Sequence, residues 1–131
     1  MGFVFTRCGN AEACPLTMQR LAVLQEALGD EVQLAVFTID PLYDDPARMR
    51  AYAEAHGLDA DRVVLATLPP GQDPALLREG LPSLFNGFAL GEGPNTSHPT
   101  RVTLLAPDGT EAAVWDAKEV DAARVRAAMG R

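Results

Sequence analysis

The sequence predicts an α/β domain in which helices pack against a central mixed β-sheet. Segments of β-branched and aromatic residues alternate along the chain with segments whose apolar residues recur at helical spacing. Near the carboxyl end, two short apolar runs flank the turn Pro107-Asp108-Gly109, a pattern typical of an antiparallel hairpin. With 131 residues, of which 47% are hydrophobic, the chain is long enough for one core and too short for two. We therefore expect a single domain over residues 1–131.

The first half of the chain contains two predicted strand–helix units. In chain order, the patterning predicts a strand over 3–7, a helix over 15–28, a strand over 32–39 and a helix over 46–56. The apolar residues expected on one face of the first helix are Met18, Leu21, Leu24 and Leu28. The second strand is apolar throughout, as is usual for a parallel strand covered on both faces. Asp45 is a candidate N-cap for the second helix, and Pro46 suits its first position because a missing N–H costs nothing there.

The second half is predicted to add further strands and helices around the hairpin. Its elements are a short strand over 63–66, a helix over 74–80, a long loop over 86–100, hairpin strands over 102–106 and 112–115, and a helix over about 119–129. The expected packing side of the last helix consists of Val120, Ala123 or Arg124, and Ala127. The order β-α-β-α-(β)-α-β-β-α, combined with the right-handed crossover rule, predicts a thioredoxin-like arrangement with a C-terminal hairpin and helix.

The two cysteines of the chain, Cys8 and Cys14, lie where the first predicted strand leads into the first predicted helix. Pro15 fits the first helical position, so we expect Cys14 at the helix N-terminus, where unpaired N–H groups and the helix dipole favour a thiolate. The short segment between the cysteines allows a disulfide, and it equally allows two thiolates to bind one ion. A structural disulfide, a redox dithiol and a metal site are all open.

The two histidines of the chain are candidates for a third metal ligand. His56 is predicted at the end of the second helix, where the carbonyl end of the dipole accounts for it without a ligand role. His98 ends the Gly- and Pro-rich loop and, in a thioredoxin-like sheet, lies beside the turn that holds both cysteines. At that position His98 could be an ordinary loop residue or a metal ligand, and both alternatives are open. Two thiolates and one imidazole would suit a transferable copper ion better than structural zinc, which normally has four protein ligands.

A cluster of three aspartates follows the second predicted strand. Asp40, Asp44 and Asp45 could together bind a hard cation. Turn formation and N-capping explain the same residues more simply, and we expect those roles.

Taken together, these motifs resemble the Sco (SenC-like) family of thioredoxin-fold, copper-binding factors for assembly of the copper centre of cytochrome oxidase. The family's F-T-x-C…C-P signature, in its variant with five residues between the cysteines, is similar to Phe5-Thr6-Arg7-Cys8 with Cys14-Pro15. Its S-x-D-P-x-x-D-T-P segment is similar to Thr38-Ile39-Asp40-Pro41 with Asp44-Asp45-Pro46. The following helix, residues 50–57, and the spacing from His98 to Asp108-Gly109 also match the family.

The resemblance implies that Cys8, Cys14 and His98 are copper ligands. The implied function is a metallochaperone that delivers copper to the copper-site subunit of cytochrome oxidase, or to another copper or thiol protein. Transfer by ligand exchange would need a shallow, exposed site. Two alternatives stay open: a thiol–disulfide oxidoreductase that uses the Cys8/Cys14 pair, and a domain with a structural disulfide and no catalytic role.

Charge and hydropathy limit the partners and the location. The formal net charge is −7 and there is no basic run, so we expect neither nucleic acid nor an anionic membrane surface as a partner. No apolar stretch approaches the roughly 20 residues of a transmembrane helix. The resemblance implies an extracytoplasmic domain, soluble itself and tethered through an N-terminal segment. Because the first strand begins within two residues of Met1, we expect the domain to be truncated at its N-terminus.

Overall fold

The computed structural model describes residues 1–4, 6, 13–38, 40, 43–67 and 100–131. The strands within these ranges are β1 (Gly2–Val4), β2 (Leu34–Thr38), β3 (Val63–Ala66), β4 (Arg101–Leu105) and β5 (Glu111–Asp116). The α-helices are α1 (Cys14–Leu28), α2 (Pro46–Ala55) and α3 (Ala122–Ala128). No helix in this part of the chain is long and apolar enough to cross a membrane. The predicted helix over 74–80 and the predicted loop over 86–100, apart from Thr100, lie outside the described residues.

The strands form one mixed sheet in the order β3-β2-β1-β4-β5. β1 and β2 are parallel, as are β2 and β3, because a helix returns the chain between the members of each pair. β4 runs antiparallel to β1, and a tight turn joins it to the antiparallel β5. In that turn Gly109 adopts a φ of 86°, and Ala106 N–H donates to Thr110 O over 2.8 Å. This is the thioredoxin-like arrangement that the sequence predicts.

Helix α1 covers β1 through an apolar stripe. The buried members of the predicted stripe are Met18, Leu21, Leu24 and Leu28. The helix approaches β1 closely because Gly2 has no side chain. A Cβ atom at Gly2 would lie 3.0 Å from Leu21 Cδ1 and 3.1 Å from Thr17 Cγ2. A side chain at Gly2 would therefore require the Leu21 and Thr17 side chains to shift by a few tenths of an ångström.

Helix α2 begins as predicted. The side chain of Asp45 accepts a hydrogen bond from Arg48 N–H over 2.8 Å, and Pro46 occupies the first turn. At the other end, His56 is the C-cap residue, and its ring packs edge-on against Tyr52 with centroids 4.7 Å apart. His56 therefore lies at the end of the second helix, as the sequence predicts.

Replacement of Asp45 by alanine is expected to lower the free energy of unfolding by about 1 kcal/mol, because Arg48 N–H loses its side-chain acceptor. Urea unfolding followed by circular dichroism measures this loss. Asp30→Ala is the matched control, since the exposed Asp30 makes a 3.4 Å ion pair with Arg62 and caps no helix with its side chain among the described residues. We expect that control to stay within about 0.5 kcal/mol of the parent. Equal losses in the two variants would contradict the capping role.

The last helix differs from its predicted bounds. α3 begins at Ala122 instead of 119, because Asp121 caps it by accepting a hydrogen bond from Arg124 N–H over 2.8 Å. Val120 is buried as predicted, but it precedes the helix. Within the helix the predicted packing side is wrong. The buried residue is Val125, and the exposed ones include Ala123, Arg124 and Ala127.

Arg126 joins α3 to the end of α1. Its guanidinium donates to the carboxyl group of Glu31 over 2.7 Å and to the carbonyl of Ala27 over 2.8 Å. The hydrogen bond from Arg126 lowers the pKa of Glu31, and Arg131 adds to this effect. Because both side chains are substantially exposed, salt screens the pair, which therefore orients the helix more than it stabilises the fold.

Candidate functional site

The carboxyl ends of β1, β2 and β3 lie side by side, because the three strands are parallel neighbours. In open α/β sheets, the loops that leave these ends provide the binding residues. Here the segment after β1 contains Cys8 and leads to Cys14, and the loop after β2 contains Asp40, Asp44 and Asp45. This edge of the sheet is the candidate site.

Cys14 is the first residue of α1, one position before the predicted start of the helix. The preceding residue, Ala13, provides no side-chain cap, and its carbonyl accepts both the N–H and the hydroxyl of Thr17 at 3.0 Å. The N–H groups of the first helical turn and the positive end of the dipole therefore lie next to Cys14. The predicted position of Cys14 at a helix N-terminus is confirmed, and that position favours a thiolate.

The side chain of Cys14 is fully buried, with a relative exposure of 0%. It belongs to the same buried apolar cluster as Val4, Met18 and Met49. The expectation of a shallow, exposed site is therefore wrong at Cys14, because the residue that starts the helix also completes the core beneath it. Since exchange at a thiol requires access to the sulfur, the surroundings of Cys14 must open before an exchange.

Cys8 and His98 lie outside the described residues, so the copper set Cys8, Cys14 and His98 stays a prediction. Within the ranges that the structure describes, no three His, Cys, Asp or Glu side chains are grouped to hold a metal ion. Of the three predicted ligands, Cys14 is the one that lies within the described ranges. A soft sulfur donor suits copper(I) better than a hard cation.

A buried aspartate, Asp44, links the ends of the three parallel strands through its carboxyl group and its backbone carbonyl. Asp44 has a relative exposure of 0%. Its Oδ2 accepts the backbone N–H of Thr6 over 3.0 Å and the hydroxyl of Thr38 over 2.7 Å, while its Oδ1 accepts the hydroxyl of Thr6. Thr67, just after β3, donates its hydroxyl to the backbone carbonyl of Asp44 over 2.6 Å. One residue of the β2–α2 loop thus connects the ends of β1, β2 and β3.

The same contacts explain why the strand predicted over 3–7 does not continue through Thr6. The described part of β1 ends at Val4, opposite Thr38. Beyond it, the N–H of Thr6 donates to Asp44 instead of to a neighbouring strand. Asp40 holds the receiving loop in place, because its carbonyl accepts Asp44 N–H over 2.9 Å.

Asp44 is the residue whose role the sequence reading missed. Turn and N-cap roles hold for Asp40 and Asp45, but the side chain of Asp44 points into the sheet edge and not into a cap. A signal for this role exists in the sequence. Threonines lie at or just after the ends of three strands, Thr6, Thr38 and Thr67, and Asp44 is the aspartate that all three reach.

The sheet is thioredoxin-like, and a cysteine lies at the start of the helix that follows the first strand. Together these features define a class of thioredoxin-fold proteins that carry a thiol at this position. Within that class the chain belongs to the SCO1/SenC family, whose family model matches residues 1–130. The family resemblance drawn from the motifs is thereby confirmed. None of the curated proteins compared with the chain matches it significantly.

Solved structures with a similar fold include two from the same family. One is a SCO1/SenC family lipoprotein from Bacillus anthracis str. Ames, with a TM-score of 0.80 and 22% identity over 98% of this chain and 77% of that chain. The other is BsSco, a member of the Sco family of cytochrome c oxidase assembly proteins in which a disulfide switch has been identified. BsSco has a TM-score of 0.72 and 23% identity, over 96% of this chain and 74% of its own. At these identities the likeness establishes the fold.

Proposed function

We propose that this protein is a copper-binding metallochaperone of the Sco type, with residues 1–131 acting as one thioredoxin-like domain. Copper is its cargo, and Cys8, Cys14 and His98 are its ligands. The observation that supports the proposal most directly is the position of Cys14, which starts α1 as the cysteine of the family's C-P pair. The acceptor is the copper-site subunit of cytochrome oxidase or another copper or thiol protein. The description of BsSco as a cytochrome c oxidase assembly protein supports that acceptor.

The ligand chemistry agrees with a transferable ion. Thiolates and imidazole bind copper in preference to hard cations, and the N-terminus of α1 stabilises the thiolate form of Cys14. Three protein ligands leave room for a cysteine of the acceptor to join the ion before an original ligand leaves. The burial of Cys14 means that this exchange follows a local opening. The proposed location is extracytoplasmic and membrane-anchored, which the lipoprotein nature of the Bacillus anthracis relative supports.

Copper titration of the reduced protein tests the proposal. We expect one tightly bound equivalent, and we expect Cys8→Ser, Cys14→Ser and His98→Ala each to weaken binding by about 100-fold or more. Loss of a ligand should cost at least as much as the roughly 10- to 100-fold effect of losing a group that only orients one. The measurement is competition against a copper(I) chelator of known affinity.

The chain offers a matched control for the histidine. His56 is its other histidine and lies at the end of α2 against Tyr52, so His56→Ala should leave the copper affinity unchanged within about twofold. If His98→Ala binds copper as tightly as His56→Ala does, the three-ligand site is wrong. If the parent protein binds no copper tightly, the metallochaperone function is wrong.

A thiol–disulfide oxidoreductase is the second candidate, and the disulfide switch of BsSco favours it. In this reaction the Cys8/Cys14 dithiol gives two electrons and two protons to a disulfide of the acceptor, which is reduced to two thiols. The reduction potential of the pair separates this function from a structural disulfide. A potential well below about −300 mV would identify a stable structural bridge, and a higher one an exchanging pair.

A further inference from the structure

We infer that Asp44 is a positioning residue for Cys8, acting through Thr6. The contact is made by two hydrogen bonds to one buried carboxyl group: Thr6 N–H donates to Oδ2 over 3.0 Å, and the Thr6 hydroxyl donates to Oδ1. This inference deepens the proposed function, because it rests on the Cys8/Cys14 pair as the reactive pair.

The covalent chain transmits this anchoring to Cys8. Cys8 follows Thr6 by two residues, and two residues of extended chain span at most about 7 Å. Holding Thr6 therefore limits how far the Cα atom of Cys8 can lie from the Thr6–Asp44 contact. Cys14 is fixed independently, since it begins α1 and is buried in the core cluster. The separation of the two thiols thus depends on how firmly Thr6 is held.

Asp44 is itself rigidly placed. Its side chain also accepts the Thr38 hydroxyl from β2, its carbonyl accepts the Thr67 hydroxyl, and its N–H donates to Asp40 O. These contacts tie the carboxyl group of Asp44 to β2 and its backbone to the residue after β3, whereas Thr6 belongs to the segment that leaves β1. Among the described residues, the Thr6–Asp44 contact therefore joins the loop after β2 to the segment that leads to Cys8.

The expected consequence is a high effective concentration of the Cys8 and Cys14 thiols toward each other. Equilibration in glutathione buffers of graded composition measures it directly. In that reaction the protein dithiol loses two electrons and two protons to form one S–S bond, and one molecule of oxidised glutathione is split into two thiols. Mass spectrometry after alkylation gives the fraction of Cys8–Cys14 disulfide.

Thr6→Val keeps the shape of the side chain and removes only the hydroxyl. We expect it to lower the effective concentration about 3- to 10-fold, the factor that corresponds to one hydrogen bond. Thr6→Ser restores the hydroxyl and should return within about twofold of the parent. Asp44→Asn changes the acceptor that serves both Thr6 groups and should lower the value at least as much as Thr6→Val.

Thr110→Val is the matched control. It also removes one threonine hydroxyl that donates to an aspartate carboxyl group, that of Asp108 over 2.7 Å, but in the turn between β4 and β5, so it should leave the effective concentration within about twofold of the parent. The inference is overturned if Thr6→Val leaves the value unchanged or raises it, or if Thr110→Val lowers it equally. A parent protein that forms no Cys8–Cys14 disulfide in any buffer overturns it too. Failure to bind copper would refute the metallochaperone function alone, because the glutathione measurement involves no metal.

Discussion

Replacing Asp44 with alanine is expected to lower the free energy of unfolding by about 3–5 kcal/mol, far more than the same change at its neighbour Asp45. Asp44 is fully buried, and its carboxyl group accepts three hydrogen bonds from two strand ends. Alanine accepts none of these bonds and leaves a small void at the sheet edge.

The three donors respond differently to the loss of their acceptor. The hydroxyls of Thr6 and Thr38 can rotate toward another partner, so each lost bond costs about 1 kcal/mol. The backbone N–H of Thr6 is part-buried and cannot rotate, and a donor left without an acceptor costs about 1–3 kcal/mol. The backbone group therefore makes the largest single contribution to the expected destabilisation, and a replacement at Asp44 that keeps an acceptor oxygen should be milder than an apolar one.

Urea unfolding of three variants tests this account. We expect Asp45→Ala to lower the free energy of unfolding by about 1 kcal/mol, because the Arg48 N–H that Asp45 accepts is exposed to water. We expect Asp44→Asn to lower it by about 1–2 kcal/mol, because asparagine keeps one acceptor oxygen in the same place. Asp44→Ala should exceed both. If Asp44→Ala costs no more than Asp45→Ala, the contacts at the strand ends do not stabilise the fold.

The fold was predictable because its elements have strong local signals. The apolar stripe of α1 and the cap of α2 each depend on residues close together in the sequence, and both are confirmed. The turn at Gly109 likewise depends on residues that are close together in the sequence. The predicted bounds are wrong where a distant or a competing contact determines the end of a helix or strand. β1 stops early because Thr6 bonds to a residue 38 positions away, and α3 starts late because Asp121 is a better cap than the residues before it.

The candidate site was predictable only in part. The sequence placed Cys14 at a helix N-terminus, because a strand, a short loop and a proline are local features. It did not predict the burial of Cys14, since burial depends on how α1 packs on the sheet. It also could not separate Asp44 from Asp45. Adjacent aspartates look alike in a turn sequence, and only the tertiary structure shows which one faces the three threonines.

Replacing Leu21 with alanine is expected to lower the free energy of unfolding by about 2–5 kcal/mol. Leu21 is fully buried in the middle of α1, and the helix sits so close to β1 that Leu21 Cδ1 would be only 3.0 Å from a Cβ atom at Gly2. Neither backbone can relax easily into the space that alanine leaves, because Met18 and Leu24 hold the helix on the same face. The loss should therefore include a cavity term in addition to the lost burial.

Val23→Ala is the matched control for this prediction. Val23 lies two positions away on the same helix and is 58% exposed, so its replacement creates no cavity. Because alanine has the higher helix propensity, the control should be neutral or slightly stabilising, within about 0.5 kcal/mol. Urea unfolding with an unchanged m-value would assign the difference between the variants to the native state. A Leu21→Ala variant as stable as Val23→Ala would mean that α1 does not pack on β1 in solution as the structure shows.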